Sequence, residues 1–367
     1  VVTLRTDASP HDRYVQGRQE KKITCTNPIL CGLQQSAKQW SLMQRIPASE
    51  FATIQAGIDA GISNEFSHLR QSQLNDSRYS SMKRLLFAFV LLATVGQHAF
   101  AESLNVMTWN IRLNTPSDGI NAWPNRKDWV AEIVIKNKVD IAGFQEVLIE
   151  QLEDLKARLS EMDVYGVGRD DGKNAGEFTP IFFRKERFEL LEESTFWLST
   201  TPDKTASKGW DAALPRIASW VKLKDRQTGA VFYVMNTHFD HRGKQARAES
   251  AKLLLKQMRE QVVDHPVILM GDFNTMPDSP PYDTLIGKGT QARPVYHDAY
   301  KHSVQKPAGP DSTWNGFKAI IPQRRIDFIF TTKTVKVERF QTLDDQRDGR
   351  FPSDHLPIVT ELEIPQK

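Results

Sequence analysis

Residues 102–367 predict a single α/β sandwich with mixed sheets, and three features of the sequence carry that prediction. Apolar strand-like runs alternate with amphipathic helical ones, no repeat or linker interrupts the chain after Glu102, and several of the runs end in small polar side chains. The clearest is Val267-Ile268-Leu269-Met270-Gly271-Asp272-Phe273-Asn274. Its pattern is that of a buried strand delivering a carboxylate and an amide to its C-terminal end, where open α/β sheets carry their ligands.

In chain order, Leu104 to Arg112 predicts a strand, Trp129 to Ile135 a helix with its apolar residues turned inward, and Asp140 to Glu146 a second strand. From Leu148 to Met162 the spacing predicts another helix, with Leu152, Leu155 and Leu159 on one face. The pattern then becomes β. Ile181 to Phe183, Phe188 to Leu198 and Ile217 to Leu223 are expected antiparallel neighbours, and Asp225 to Gly229 is a hairpin turn into Val231 to Thr237. Ala246 to Val262 is the clearest helix, with Pro266 as a stop beyond it. Strand 267–271, a Pro-rich turn from Pro277 to Pro281 and a short helix near Tyr282 to Ile286 follow. Strand-like runs at 325–331, 335–341 and 357–364 close the chain.

The N-terminal part has a different character. Met82-Lys83-Arg84 opens a basic segment, Leu85 to Val95 is almost wholly apolar, and Ala99-Phe100-Ala101 is a small-x-small cleavage site. Residues 82–101 are therefore expected to be a secretory signal peptide cut before Glu102, which implies a periplasmic or extracellular protein. The apolar stretch falls short of the ~20 residues of a membrane span, so no stable insertion is expected after cleavage. Residues 1–81 show no sustained period and are expected to be a non-native or unstructured extension, with Met82 the native start.

Eleven of the 48 Lys and Arg and seven of the 45 Asp and Glu lie in residues 1–101, so residues 102–367 carry 37 and 38. That near-neutral balance lacks the broad basic footprint of a tight, non-specific nucleic-acid binder. Both cysteines, Cys25 and Cys31, also lie upstream. Thiol catalysis, Cys-ligated zinc and iron–sulfur chemistry are excluded for residues 102–367. The remaining length, about 260 residues, suffices for one well-buried domain, expected to be a monomer.

Polar residues end or follow the other strand runs too: Asn110, Glu146, His238, Asp327, and Asp354 with His355. Oxygen ligands of this kind suit a hard divalent cation, Mg²⁺ or Mn²⁺, and the lack of a tight His or Cys cluster argues against structural zinc. The chemistry implied is hydrolysis of a phosphate ester. Arg216 and Arg169 are candidate phosphate clamps. Trp123, Trp129, Trp197 and Trp220 sit in periodic segments and are expected in the core. Trp314 and Asn315 sit in the loop Ser312-Thr313-Trp314-Asn315-Gly316-Phe317, where they are candidates to contact a base, a sugar or another substrate group.

Thr108-Trp109-Asn110-Ile111-Arg112, Gln145-Glu146, Asn236-Thr237-His238, Gly271-Asp272-Phe273-Asn274, Arg325-Ile326-Asp327-Phe328-Ile329 and Ser353-Asp354-His355 appear in the order of an established motif set. Over roughly residues 104–364 the chain resembles the endonuclease/exonuclease/phosphatase superfamily of metal-dependent phosphoesterases. The resemblance implies a four-layer, DNase-like α/β sandwich of two mixed, mainly antiparallel sheets flanked by helices. It implies Glu146, Asn110 and Asp354 around the metal, and His355, oriented by Asp327, managing the proton of the attacking water. Asp272 and Asn274 would position that water and the phosphate. His238 would be a second histidine near the scissile phosphate, supported by Glu177 as in pancreatic-type deoxyribonucleases.

Within the superfamily, Thr275-Met276-Pro277 and Arg325-Ile326-Asp327 depart from the inositol polyphosphate 5-phosphatases. Gly271 to Ser279 looks more like the deadenylase branch, whose members are intracellular. The whole pattern, including Asn236-Thr237-His238-Phe239-Asp240-His241, is most similar to a group of secreted bacterial members. The expectation is an exported, Mg²⁺-dependent phosphodiesterase acting on a phosphate ester such as a nucleic acid. A phospholipid or sphingomyelin phosphodiesterase and a sugar or inositol phosphatase are the alternatives. A non-enzymatic binding module would have lost catalytic residues, and none of the expected ones is missing.

Overall fold

The computed structural model describes residues 103–261, 265–288 and 296–365. The expected extension 1–81 and signal segment 82–101 lie outside the described residues. The chain runs β1 (Leu104–Asn110), α1 (Lys127–Lys136), β2 (Ile141–Gln145), α2 (Ile149–Arg158), β3 (Met162–Tyr165), β4 (Ile181–Arg184), β5 (Phe188–Trp197), β6 (Ile217–Asp225) and β7 (Val231–His238). It continues through α3 (Lys244–Gln261), β8 (Val267–Asp272), α4 (Pro280–Leu285), β9 (Tyr296–Asp298), α5 (Ala299–His302), β10 (Asp327–Thr332), β11 (Lys336–Thr342) and β12 (Ile358–Glu363).

Among the described residues the strands form two six-stranded sheets, ordered β11-β12-β1-β2-β4-β3 and β5-β6-β7-β8-β10-β9. Each sheet holds one parallel pair, β1 with β2 and β7 with β8; the other pairs are antiparallel. Strand side chains alternate between faces, so each central strand feeds two layers of core. Leu104 and Val106 of β1 meet Val234, Ile268, Met270 and Ile329 between the sheets. Met107 and Trp109 of the same strand pack outward among Trp129, Ile133 and Leu155 of α1 and α2. The outer face of the second sheet is covered likewise, by Ala251, Leu254 and Met258 of α3. The result is the expected four-layer sandwich, and Trp123, Trp129, Trp197 and Trp220 are all buried.

Two expectations about elements change. The helix foreseen over 148–162 stops at Arg158, and Met162 to Tyr165 pairs with β4 as an edge strand instead. β9 and α5 were not foreseen; β9 exists through its pairing with β10, and α5 through the Asp298 side chain, which accepts from Tyr300 N. Both short strands, β3 and β9, depend on a partner distant in sequence. Among the described residues no helix is long and apolar enough to cross a membrane.

Gly271, immediately before Asp272, is the tightest point of the second sheet. Its φ is +149°, and a Cβ there would lie 2.0 Å from the Thr237 carbonyl oxygen of the paired strand. That oxygen is part of the ladder and cannot retreat cheaply. Gly271→Ala is expected to cost at least about 3 kcal/mol of stability, read as a lower urea midpoint; an unchanged midpoint would refute the packing argument.

Candidate active site

The site grows out of the central core by strand periodicity alone. On the face between the sheets, Ile268 and Met270 lead to Asp272, Val234 leads through Asn236 to His238, Val106 leads through Thr108 to Asn110, and Ile329 leads back to Asp327. Pairing brings these ends level. His238 is the register partner of Asp272, and Asp272 that of Asp327. Beneath them lies a buried polar layer, in which Gln145 Nε2 donates to Asn236 Oδ1 at 2.6 Å and to Thr108 Oγ1 at 3.1 Å. Asn236 Nδ2 donates to the Phe144 and Pro180 carbonyls. Gly143 makes room for this layer, since a Cβ there would meet Met270 and Asn236 within 3 Å.

One oxygen, Asp272 Oδ2, is the centre of the cluster. Asn110 Nδ2 donates to it at 3.0 Å, His238 Nε2 lies 3.5 Å away and His355 Nε2 3.7 Å away. Asp272 Oδ1 accepts from Asn274 N at 2.8 Å, which holds Asn274 in a left-handed conformation and brings its amide within 3.1 Å of His238 Nε2. Asp272, Asn274, His238 and His355 are thus brought together as the sequence predicted.

His355 Nδ1 sits 2.9 Å from Asp327 Oδ2, the expected orienting pair. The backbone of both is pinned: Ile326 N and Asp327 N donate to Thr313 Oγ1, and Leu356 N donates to Thr313 O. Half-buried Trp314 meets the His355 ring edge-on, with centroids 4.8 Å apart, so the structure places it against the cluster. Asn315, the other candidate contact, is buried instead; its Nδ2 donates to Ser353 O and its Oδ1 accepts from Phe317 N, so the amide is spent fastening the loop to the Ser353-Asp354-His355 turn.

The second histidine departs further from expectation. Glu177 Oε2 is 3.6 Å from His238 Nδ1, but Arg216 NH1 is nearer, at 2.9 Å. Arg216 also reaches Glu177 at 3.6 Å and Asp240 at 3.5 Å, while Arg169 NH1 pairs with Glu177 at 2.6 Å. Both guanidiniums are buried behind the imidazole. Arg216 and Arg169 are therefore not free phosphate clamps; burial and carboxylate pairing commit them to orienting His238 and Glu177.

Glu146 also has a left-handed backbone, and its carboxylate accepts from Asn110 Nδ2 at 3.0 Å and from Leu113 N at 3.1 Å. Asn110 was expected beside the metal through its oxygen. Instead its Oδ1 accepts from Arg112 N, and its Nδ2 bridges the Glu146 and Asp272 carboxylates. Asp354 is buried, and its carboxyl is pushed up by burial and by the charge of Glu146. Among the described residues, Asp272, Asp327 and His355 present ligand atoms all within 4.8 Å of one another. Asp327 Oδ1 is buried without a hydrogen-bond partner among the described residues. This concentration of buried carboxylates fits a hard divalent cation, drawn from Glu146 with Asp354 or from the Asp272–Asp327–His355 group.

The electrostatics separate the two imidazoles. Burial works against charge on His355, but Asp327 and Asp272 outweigh it and hold its pKa up to about 10. His238 is pushed down to about 3 by burial and by Arg216, against the pull of Asp272 and Glu146. Asp272 itself is raised, by burial and by Asp327. At neutral pH His355 is the cation and His238 the neutral ring. Sequence reading missed Arg112, which pairs with Asp118 and approaches Glu146 Oε2 at 3.8 Å, and Thr313. Arg112 stood in a recognised motif and Thr313 in the loop that carries Trp314, but no local pattern marked the role of either.

These shifts set a pH dependence for the metal-free protein. His355 binds its proton more tightly when folded, so its stabilisation is complete below pH ~6.5 and is lost as pH rises towards 10. His238 resists protonation when folded, so stability also falls as pH drops from ~6.5 towards 3. In EDTA, His355→Gln should lose roughly 3 kcal/mol at pH 7 by stranding Asp327 and should flatten the alkaline limb between pH 7 and 9.5. A urea-unfolding series in which the variant keeps the wild-type alkaline slope would contradict this assignment.

Comparison with known proteins agrees with the architecture. The model of the endonuclease/exonuclease/phosphatase family matches residues 107–355. A family structure from Bacteroides vulgatus is 41% identical and superposes with a TM-score of 0.68, covering 72% of this chain and 99% of that one. A mannosyl-6-phosphatase from Bacteroides thetaiotaomicron is 40% identical, with a TM-score of 0.66 over 71% of this chain and 99% of that one. The CCR4-Not complex 3'-5'-exoribonuclease subunit Ccr4 of Mycosarcoma maydis is 23% identical over 346 residues, 72% of this chain and 51% of that protein. The chain spans about half the length of the first curated relatives it matches. Members of the family hydrolyse phosphoester bonds and use divalent metals. The motif order, the two-sheet sandwich and the matched span together show that this chain belongs to the endonuclease/exonuclease/phosphatase family.

Proposed function

We propose that this chain is a divalent-metal-dependent hydrolase of phosphate esters, using Mg²⁺ or Mn²⁺, and that its substrate is a sugar phosphomonoester. The observation that carries the hydrolytic reading is the convergence of Asp272 Oδ2 with His238 Nε2 and His355 Nε2. The substrate class is supported by 40% identity to a mannosyl-6-phosphatase across nearly all of that chain, against 23% to an exoribonuclease subunit of which half is spanned. The near-neutral charge of residues 102–367 also favours a small substrate over nucleic acid. We read residues 82–101 as an export signal, which makes the enzyme periplasmic or extracellular.

In this reading water attacks phosphorus, the ester P–O bond breaks and the departing alcohol leaves with a proton. Asp272, whose carboxyl is raised, takes the proton of the attacking water, and Asn274 orients that water. The His355 imidazolium, steadied by Asp327, holds the proton that the departing oxygen needs. His238 is neutral with Arg216 at Nδ1, and donates from Nε2 to a phosphoryl oxygen as charge develops. Glu146 and its neighbouring carboxylates would hold the divalent cation, which would supply positive charge to offset that of the phosphoryl oxygens.

The test is an assay of the full chain with mannose 6-phosphate, bis(p-nitrophenyl) phosphate, RNA, DNA and sphingomyelin. EDTA should abolish turnover and Mg²⁺ or Mn²⁺ restore it, and Glu146→Gln or His355→Gln should lower kcat/KM by about 100-fold or more. Activity that survives chelation or both substitutions would sink the mechanism. A preference for RNA, DNA or bis(p-nitrophenyl) phosphate would move the assignment to a phosphodiesterase, and one for sphingomyelin to a lipid phosphodiesterase.

A further inference from the structure

His241 ends the Asn236-to-His241 motif and takes no part in the proposed hydrolysis. His241 is exposed, three residues beyond the buried His238. Both hang on a single arginine: Arg216 NH1 is 2.9 Å from His238 Nδ1, and NH2 is 3.0 Å from His241 Nδ1. A guanidinium only donates, so both Nδ1 atoms accept, and each neutral ring carries its proton on Nε2. The Nε2 of His238 faces the cluster, where Asp272 Oδ2, 3.5 Å away, is the acceptor on that side. The Nε2 of His241 meets no hydrogen-bond partner among the described residues.

The turn that carries His241 is built to hold it still. Asp240 Oδ1 accepts from Arg242 N at 2.9 Å and Gly243 N at 2.7 Å, and Oδ2 from Ala213 N at 3.1 Å and Leu214 N at 3.3 Å. Arg247 NH1 donates to the Asp240 carbonyl, and Phe239 N to the Asp272 carbonyl. An ordinary surface histidine has neither a carboxylate-locked turn around it nor a buried guanidinium fixing its tautomer. Burying the Arg216 charge is costly, and one of its two outer nitrogens is spent orienting an exposed ring. Such a ring is a preorganised neutral donor.

We infer that His241 is a specificity-determining residue, donating a hydrogen bond from Nε2 to a sugar hydroxyl of the substrate beside the scissile phosphate. The inference rests on the sugar-phosphate reading. Both imidazoles meet one planar guanidinium, so the exposed His241 ring is a neighbour of the buried His238 ring against which the phosphate would sit. A neutral donor suits a hydroxyl oxygen, whereas a second phosphate would call for a cation.

The full chain carrying His241→Ala or His241→Gln is compared with wild type on mannose 6-phosphate and on ethyl phosphate, which lacks sugar hydroxyls. His241→Ala should raise KM for mannose 6-phosphate about tenfold while kcat changes less than about threefold, the weight of one hydrogen bond. The ratio of kcat/KM between the two substrates falls correspondingly, and His241→Gln, which keeps an N–H donor, recovers part of it. Equal losses on both substrates would mean that His241 acts only through Arg216 on His238, and would overturn the inference; so would an unchanged ratio. Wild type that hydrolyses ethyl phosphate but not mannose 6-phosphate would discard the sugar reading and this inference together. Wild type active on mannose 6-phosphate, with an unaltered ratio in His241→Ala, would discard the inference alone.

Discussion

The backbone register across β7, β8 and β10 is the constraint on which the rest of the site depends. It sets His238, Asp272 and Asp327 side by side as the terminal residues of three adjacent strands. Side chains alternate with period two, so a slip of one residue in either pairing would turn the carboxylate away from the imidazoles and into the outer core. Gly271 keeps the pairing close just before Asp272, where the backbone of β7 leaves no room for a Cβ. The apolar layer of Val234, Ile268, Met270 and Ile329 holds the two sheets together beneath the cluster and carries that register into tertiary structure.

Within this frame, similar groups acquire opposite properties through their neighbours. His355 lies between two buried carboxylates and keeps its proton; His238 lies against a buried guanidinium and stays neutral. Asp272 faces both rings and Asn110 with one oxygen, so it couples them. Burial magnifies each of these influences, because water is not there to screen them. Arg216 extends the same logic to the surface by fixing His238 and His241 together.

Much of the fold was legible because it is written in local periodicity. The strand-like runs around Val267, Val231 and Leu104 and the helix near Leu254 are long and strongly patterned, and they occur near where the sequence placed them. Met162 to Tyr165, Tyr296 to Asp298 and Ala299 to His302 are three or four residues long. The two strands among them pair with strands distant in sequence, so no local window contains the interaction that defines them, and the helix is a single capped turn too short to show a period.

The sequence by itself determined which residues end the core strands, and therefore that Asn110, Glu146, His238, Asp272, Asp327 and His355 gather at one edge. Strand alternation and motif order are local properties of the chain, and they carry through folding. Only the tertiary structure decided how polar atoms pair once gathered. It turned the Asn110 amide into a bridge between carboxylates, used Asn315 to fasten a loop, and committed Arg216 to two histidines in place of a phosphate. The physical reason is that a buried donor or acceptor must find a partner, and which partner lies in reach depends on side chains brought together from separate strands and loops.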